Sequence, residues 1–279
     1  MFLCGGHVSV AGGIEKSVER AVKETFNCMQ IFTSAPRSYS ANSYTEEQIY
    51  SFRRFYKEAE MQYLVQHAIY LVNLSVSDGP LRDRSKKSII DYMILGDKIG
   101  SSGTVVHVGS KNGDESLKKA AGAIKEILSE TPESQSFIIE NAASQARIGS
   151  DISDMTRILE VVGSNRVKVC IDTQHLFASG NDIRDGEFCN KWIEEFDSQI
   201  GLENLICLHV NDSKSGCGSG IDRHENILDG QIGEKGLREF LSHPKLAGKP
   251  LILEVPGWDP KHKGPDRENK ERLGKIVSG

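Results

Sequence analysis

Residues 137–172 open on Phe137-Ile138-Ile139-Glu140, close on Val167-Lys168-Val169-Cys170-Ile171-Asp172, and carry an amphipathic stretch at 152–162 between them. The two ends are short apolar runs of the kind that form buried strands. The middle places Ile152, Met155, Ile158 and Val162 at helical spacing. Strand, helix and strand in so short a span predict a crossover unit whose strands lie parallel. Each strand also ends on a carboxylate.

The same alternation continues outward in both directions. Strands are expected at 2–4, 28–32, 63–66, 104–106, 137–139, 167–171, 205–208 and 251–253. Helices are expected at 14–24, 45–58, 82–99, 115–128, 152–162, 190–200, 234–241 and 267–276. The helix at 45–58 begins with Thr45 and has Gln48 three residues on, a capping-box pattern. Eight such units of roughly 35 residues close into an α/β (β/α)8 TIM barrel, with its active site at the carboxyl ends of the strands. The whole chain, 1–279, reads as one such domain, with no internal repeat or linker. Irregular stretches at 34–44 and 212–232 are expected as long loops after strands two and seven, and long ordered loops tend to carry function.

Composition narrows the class. A 279-residue chain with 38% hydrophobic residues can build a sizeable core. Six cysteines at 4, 28, 170, 189, 207 and 217 include no C-x-x-C pair and read as reduced thiols, mostly buried, with Cys217 the exposed one. The first residues lack the basic segment and apolar length of a secretory signal, and no run approaches the roughly 18 apolar residues of a membrane span. An intracellular protein is expected, cytoplasmic in a prokaryote or nuclear in a eukaryote, and the Asn73-Leu74-Ser75 sequon is then a chance match. The formal net charge of −5 gives no overall basic footprint for nucleic acid.

The chemistry is carried by the residue at the end of each strand. His67 comes after the third run, His107 after the fourth, Glu140 after the fifth, Asp172 after the sixth, His209 after the seventh and Glu254 after the eighth. One such residue is usually a cap or loop contact. Six in succession at the mouth of one barrel are costly to pack unless cations neutralise them. His175 lies three residues after Asp172, and Asp222 and His224 form an i, i+2 pair whose side chains share a face in extended chain. Nine N/O donors are too many for one ion and suit three, with a bridging carboxylate. Imidazole and carboxylate without thiolate suit Zn2+ and leave Mn2+ or Fe2+ open at some positions. His7 ends the first strand and faces the site, as a support or a phosphate contact. His243 and His262 read as solvated surface.

With these residues placed, the chain resembles the endonuclease IV family, the zinc-dependent AP endonucleases (AP endonuclease family 2). The resemblance spans nearly the full length and rests on Gly6-His7-Val8-Ser9-Val10-Ala11-Gly12-Gly13, His67-Ala68-Ile69-Tyr70-Leu71-Val72-Asn73-Leu74, His107-Val108-Gly109-Ser110, Ile139-Glu140-Asn141-Ala142-Ala143, Val169-Cys170-Ile171-Asp172-Thr173-Gln174-His175, Leu208-His209-Val210-Asn211-Asp212-Ser213-Lys214, Asp222-Arg223-His224 and Leu251-Ile252-Leu253-Glu254. It implies three zinc ions per chain. His67, His107 and Glu140 would hold the first. Glu140 would bridge to a second held by Asp172, His209 and Glu254, and His175, Asp222 and His224 would hold the third. It implies a DNA-repair hydrolase that cuts the phosphodiester 5′ to abasic sites in duplex DNA and leaves a 3′-hydroxyl, with 3′-end cleaning as a possible second activity. Glu140 would be the catalytic residue, and the protein a monomer that binds no membrane.

Arg37 and Tyr70 match family loop residues that enter the duplex near the lesion, while Arg37 lacks the asparagine and glutamine usual beside it. Lys111, Lys214 and Arg223 join Arg37 as basic residues that, with metal ions, give the mouth a positive face despite the net charge. A single-metal sugar isomerase or epimerase on the same barrel would use only Glu140, Asp172, His209 and Glu254 and leave the other five donors idle. A DNA-damage binder without catalysis would need none of the nine.

Overall fold

A computed structural model describes residues 2–40, 42–259 and 263–278. Eight strands form a closed ring: β1 (Cys4–His7), β2 (Cys28–Ile31), β3 (Tyr63–His67), β4 (Gly103–Val106), β5 (Ser136–Glu140), β6 (Val167–Asp172), β7 (Leu205–His209) and, last in the ring, β10 (Leu251–Leu253). All eight pairings are parallel, and β10 closes the barrel onto β1 through Cys4 opposite Leu251. Two short strands, β8 (Asp212–Ser213) and β9 (His224–Glu225), pair antiparallel outside the ring. The helices α1 (Glu15–Lys23), α2 (Glu46–Glu58), α3 (Pro80–Ile99), α4 (Gly113–Ser129), α5 (Ile152–Val162), α6 (Thr173–Ala178), α7 (Gly186–Gln199), α8 (Gly233–Leu241) and α9 (Arg267–Ser278) alternate with the strands. This is the TIM barrel expected from the sequence. No helix among the described residues is long and apolar enough to cross a membrane.

Strand alternation sorts the side chains into two populations. Leu64, Phe137, Ile139, Val169, Ile171 and Leu208 face outward and pack with the helices in one continuous apolar cluster. Val65, Val105, Ile138, Cys170 and Cys207 face inward and form a separate apolar plug in the barrel. Successive strand residues point to opposite faces, so the next inward position lies two residues further on. Those positions are His67, His107, Glu140, Asp172 and His209. By the same count Gly5 leads to His7, Cys28 to Gln30 and Ile252 to Glu254. Every strand of the ring therefore delivers one polar side chain just above the plug.

Local signals explain most element boundaries. Thr45 accepts from the Gln48 backbone N–H while Gln48 reaches back to the Thr45 N–H, closing the expected capping box on α2. Gly100 and Gly163 end α3 and α5 in left-handed conformations. At the opposite end of the barrel, buried Arg166 donates to the carbonyls of Leu128, Thr131, Pro132 and Gln135, tying the α4–β5 turn to the start of β6. The cysteines follow expectation, with five buried and Cys217 exposed. His243 caps a short turn through Lys245 N and is half-buried, whereas His262 lies outside the described residues.

Two expectations need correction. The first strand is not 2–4 but Cys4–His7, and it contains two glycines. A Cβ on Gly5 would overlap the Cys28 carbonyl oxygen, so β1 and β2 approach closely only because that side chain is absent. The second is α6, a helix that starts directly at the end of β6. The Asp172 carboxylate accepts the His175 N–H at 2.9 Å and caps it.

Gly5→Ala is expected to destabilise the barrel by about 3 kcal/mol or more, because backbone must move to admit the methyl group. Gly274→Ala is the control: the nearest atom to its Cβ is Phe2 Cε1 at 3.7 Å, and helix propensity favours alanine. Denaturant midpoints of the two variants should move in opposite directions, and an unchanged midpoint for Gly5→Ala would contradict the closure argument.

Candidate metal centre

The inward positions converge on Glu140, which is fully buried. Its two carboxylate oxygens face different partners. Oε2 lies 3.1 Å from His67 Nε2 and 3.2 Å from His107 Nε2. Oε1 lies 2.9 Å from His209 Nδ1 and 3.4 Å from His175 Nδ1. Glu254 Oε2 approaches the same His209 nitrogen at 3.3 Å, with Asp172 Oδ2 at 4.0 Å. Two compact donor sets result, His67–His107–Glu140 and Glu140–Asp172–His209–Glu254, each with ligand atoms within 4.8 Å of one another.

A third set is assembled from elements off the strands. α6 presents His175, and the β8–β9 ladder presents His224; together with Asp172 they satisfy the same 4.8 Å criterion. Asp222, on the loop before β9, stands 3.4 Å from His175 Nε2 and 3.5 Å from His224 Nε2. All nine candidate donors thus lie in one connected cluster.

The electrostatics are those of a site built for cations. Burial alone would raise the Glu140 carboxyl, but the imidazoles of His107, His209 and His175 hold it well below the usual carboxylate range. Glu254 is likewise lowered against its burial, chiefly by His209. Asp222, exposed at the rim, is pulled down to about 2 by His175, His224 and His107 against its partial desolvation. Burial opposes the charged imidazoles, yet carboxylates raise His67, take His209 up to about 10 and lift His175 well above the usual value. His107 is lowered to about 4 by burial, with the imidazoles of His175 and His67 adding to it against the Glu140 carboxylate. In the absence of metal, protons on imidazoles do the neutralising. Even so, the buried Nε2 atoms of His175 and His224 have no hydrogen-bond partner. Unsatisfied buried nitrogens aimed at carboxylates, in an all-N/O donor set, fit zinc-type metal binding.

Behind the donors stand polar residues that strand counting alone did not single out. Gln30 donates to Glu254 Oε1 at 2.6 Å, and its Oε1 lies 2.8 Å from His209 Nε2. Asn211 donates to Asp172 Oδ2 at 2.6 Å and accepts from Glu254 N at 2.8 Å. Asn141 exchanges hydrogen bonds with the Asp172 backbone. A polar residue inside an otherwise apolar strand run was the available signal for Gln30. His7 belongs to this layer too. Its Nδ1 lies 3.3 Å from Glu254 Oε1, its Nε2 is buried without a hydrogen-bond partner, and its ring lies 4.3 Å from that of Phe32.

Above the cluster opens a cavity of about 560 Å³ lined by Arg37, Tyr70, His107, His175, Asp222 and Arg223, among others. Tyr70 is 53% exposed. It meets Phe32 edge-on at 5.3 Å, and its N–H donates to Pro36 O, linking its loop to that of Arg37. Lys214 is exposed but lies outside the lining, and Lys111 turns away. The Lys111 ammonium pairs with Asp151 at 2.8 Å and Asp154 at 2.9 Å, so it adds no free charge to the mouth.

Fold and site together define a metal-binding TIM barrel, and comparison with known proteins narrows this. The profile of the xylose isomerase-like TIM barrel family matches residues 18–273. A "Probable endonuclease 4" of Geotalea daltonii is 36% identical over 263 residues, covering 91% of this chain and 92% of the relative. One of Haloarcula marismortui is 33% identical over 260 residues, covering 92% and 93%. The crystal structure of endonuclease IV from Thermus thermophilus superposes with a TM-score of 0.85 at 28% identity, covering 99% and 98%. The chain belongs to the endonuclease IV family.

Removing the Gln30 amide should leave the barrel folded but free Glu254 and His209 to reorient. For Gln30→Ala, metal affinity is expected to fall about 10–100-fold, as for other residues that orient metal ligands. Chelator competition measures this, and unchanged affinity would mean that Gln30 does not support the donors.

Proposed function

We propose that this chain is a metal-dependent DNA-repair endonuclease that hydrolyses the phosphodiester 5′ to abasic sites in duplex DNA and leaves a 3′-hydroxyl. His67, His107 and Glu140 would hold one zinc ion. Glu140, Asp172, His209 and Glu254 would hold a second, and His175, Asp222 and His224 a third. The observation that carries this reading is the division of Glu140, whose Oε2 faces one imidazole pair and whose Oε1 faces another. A single-metal isomerase needs only the second of these sets and leaves His67 and His107 without work.

Zinc held in these sets supplies Lewis-acid polarisation of the phosphate and activation of water near neutral pH. The chain's own groups do the rest. Glu140, already below its usual pKa, stays ionised and can orient the attacking water. Arg37 and Arg223 offer guanidinium donors to phosphate oxygens at the rim. Tyr70 presents a flat, exposed ring that can occupy the space left by a missing base. A nucleotide without its base has less stacking to lose, so drawing it into the cavity costs less than flipping an intact one.

The direct test combines metal analysis with cleavage. Purified protein is expected to hold about three zinc equivalents and to cut a duplex bearing one abasic site 5′ to the lesion. Glu140→Gln should fold normally yet lose both metal and cleavage, because the neutral amide keeps one acceptor oxygen, replaces the other with an NH2 donor and carries no charge. Full activity with one metal per chain, or wild-type turnover by Glu140→Gln, would overturn the assignment.

Recognition should separate from chemistry. Tyr70→Ala combined with Arg37→Ala is expected to weaken abasic-duplex binding more than intact-duplex binding, since stacking is worth about 1–3 kcal/mol per base and non-lesion binding rests on phosphate contacts. Affinities for both duplexes at one salt concentration decide it. Equal losses would show that these residues do not read the lesion.

A further inference from the structure

Arg147 lies on the loop between β5 and α5 and is the one basic residue in the stretch 141–151. It lines the same cavity as Arg37, Tyr70 and Arg223. The loop that carries it is held at several points. Arg147 N donates to Ser144 O, Lys111 N to Ala146 O, Ile148 N to Gly109 O and Ala142 N to Gly149 O, and Arg147 forms a bridge with Ser110. The backbone beneath this side chain is therefore clamped to the loop after β4.

The side chain itself is exposed and, among the described residues, has no ion pair, hydrogen bond or ring contact. Its basic neighbour differs. Lys111, on the loop it is clamped to, is neutralised by Asp151 and Asp154. A guanidinium left unpaired on a rigid loop, beside carboxylate-bearing walls, is available to an external anion. Arg37, Arg147 and Arg223 come from the loops after β2, β5 and β7, so they meet the cavity from three sides of the ring.

We infer that Arg147 is a positioning residue that binds a backbone phosphate of the DNA and, with Arg37 and Arg223, holds the strand across the metal cluster from a third side. The inference rests on the function proposed above and extends it to a residue outside the nine donors and the lesion-reading pair. A phosphate contact carries no sequence or lesion information, so Arg147 serves register and orientation rather than discrimination.

The salt dependence of binding tests it. Each neutralised phosphate contributes about 0.9 to the slope of log affinity against log salt on duplex DNA. Binding of holoenzyme to an intact duplex, which is held but not cut, is measured by fluorescence anisotropy over a fourfold range of salt. Arg147→Ala should flatten the slope by about 0.9, so its affinity falls about 3.5-fold less than wild type over that range. Arg147→Lys should keep the wild-type slope. On the abasic duplex the loss should fall in KM rather than kcat, because the contact exists before and during reaction. Zinc content should not change.

An unchanged slope for Arg147→Ala, or a loss of zinc from it, overturns the inference. A wild-type enzyme that binds duplex with the expected slope difference but never cuts at abasic sites overturns the proposed function and leaves the phosphate contact standing. A wild-type enzyme that binds no duplex at any salt overturns both.

Discussion

Everything at this site depends on one geometric constraint: a strand in a closed barrel points every second side chain into a space that water barely reaches. Below the rim that space is filled by Val65, Val105, Ile138, Cys170 and Cys207. One step up it receives His7, Gln30, His67, His107, Glu140, Asp172, His209 and Glu254, one from each strand. Three buried or nearly buried carboxylates at such a position would repel one another strongly without positive charge between them. The shifts show how strained the balance is. Glu140 is held well below its usual value against burial by the imidazoles of His107, His209 and His175, and Glu254 chiefly by His209, while His209 and His175 sit well above theirs. Divalent cations are the natural replacement for those protons, and the amides of Gln30 and Asn211 are placed to keep the Glu254 and Asp172 oxygens pointed at them.

That constraint also explains what could be read in the sequence. A strand that ends in His, Asp or Glu announces itself, because a charged residue terminates an apolar run; this made His67, Glu140, Asp172, His209 and Glu254 legible. Gln30 does not announce itself. It lies inside Cys28-Met29-Gln30-Ile31, and one neutral amide leaves the run looking like core. β1 was displaced for a related reason, since Gly5 and Gly6 look like a break rather than like strand residues that let two backbones meet. α6 is six residues long, too short to show a helical period, and only the Asp172-to-His175 cap marks its start. Arg147 has no local signature at all. Its significance comes from the folded loop, in which Asp151 and Asp154 turn to Lys111 and leave Arg147 alone.

Charge economy at the surface resolves the tension between an acidic chain and an anionic substrate. The net charge of −5 is an average over faces that never meet the ligand. On the outer surface, several lysines and arginines are matched to nearby acids, as in Lys245 with Glu194 and Asp197 or Arg272 with Asp229 and Glu268. Such exposed pairs contribute little stability, but they cancel field. At the mouth the pattern reverses, and among the described residues Arg37, Arg147 and Arg223 are left without carboxylate partners. A potential focused at one opening needs unpaired charge there and paired charge elsewhere, whatever the total.

The third donor set is attached differently from the other two, and its precision has to come from somewhere other than the barrel. His224 and Asp222 ride on a segment that leaves the ring after His209 and returns only at α8. The segment is pinned at its base by Asp212, a buried carboxylate three residues from His209 that takes no part in the cluster. It accepts the N–H groups of Ser213, Gly230, Ile232 and Gly233. Burial still raises its pKa against those four donors, so the carboxylate is held by backbone dipoles rather than by a countercharge. Gln231 N adds a bond to Ser213 O, and the two-residue β8–β9 ladder sets His224 opposite Ser213. From there His224 Nδ1 reaches the Glu254 carbonyl. The loop-borne donors are thereby registered to β10 at one end and to the end of β7 at the other. A flexible connection has been made to behave like a ninth wall of the barrel, and Asp212, a buried carboxylate that resembles a ligand in type and position, is the group that makes it so.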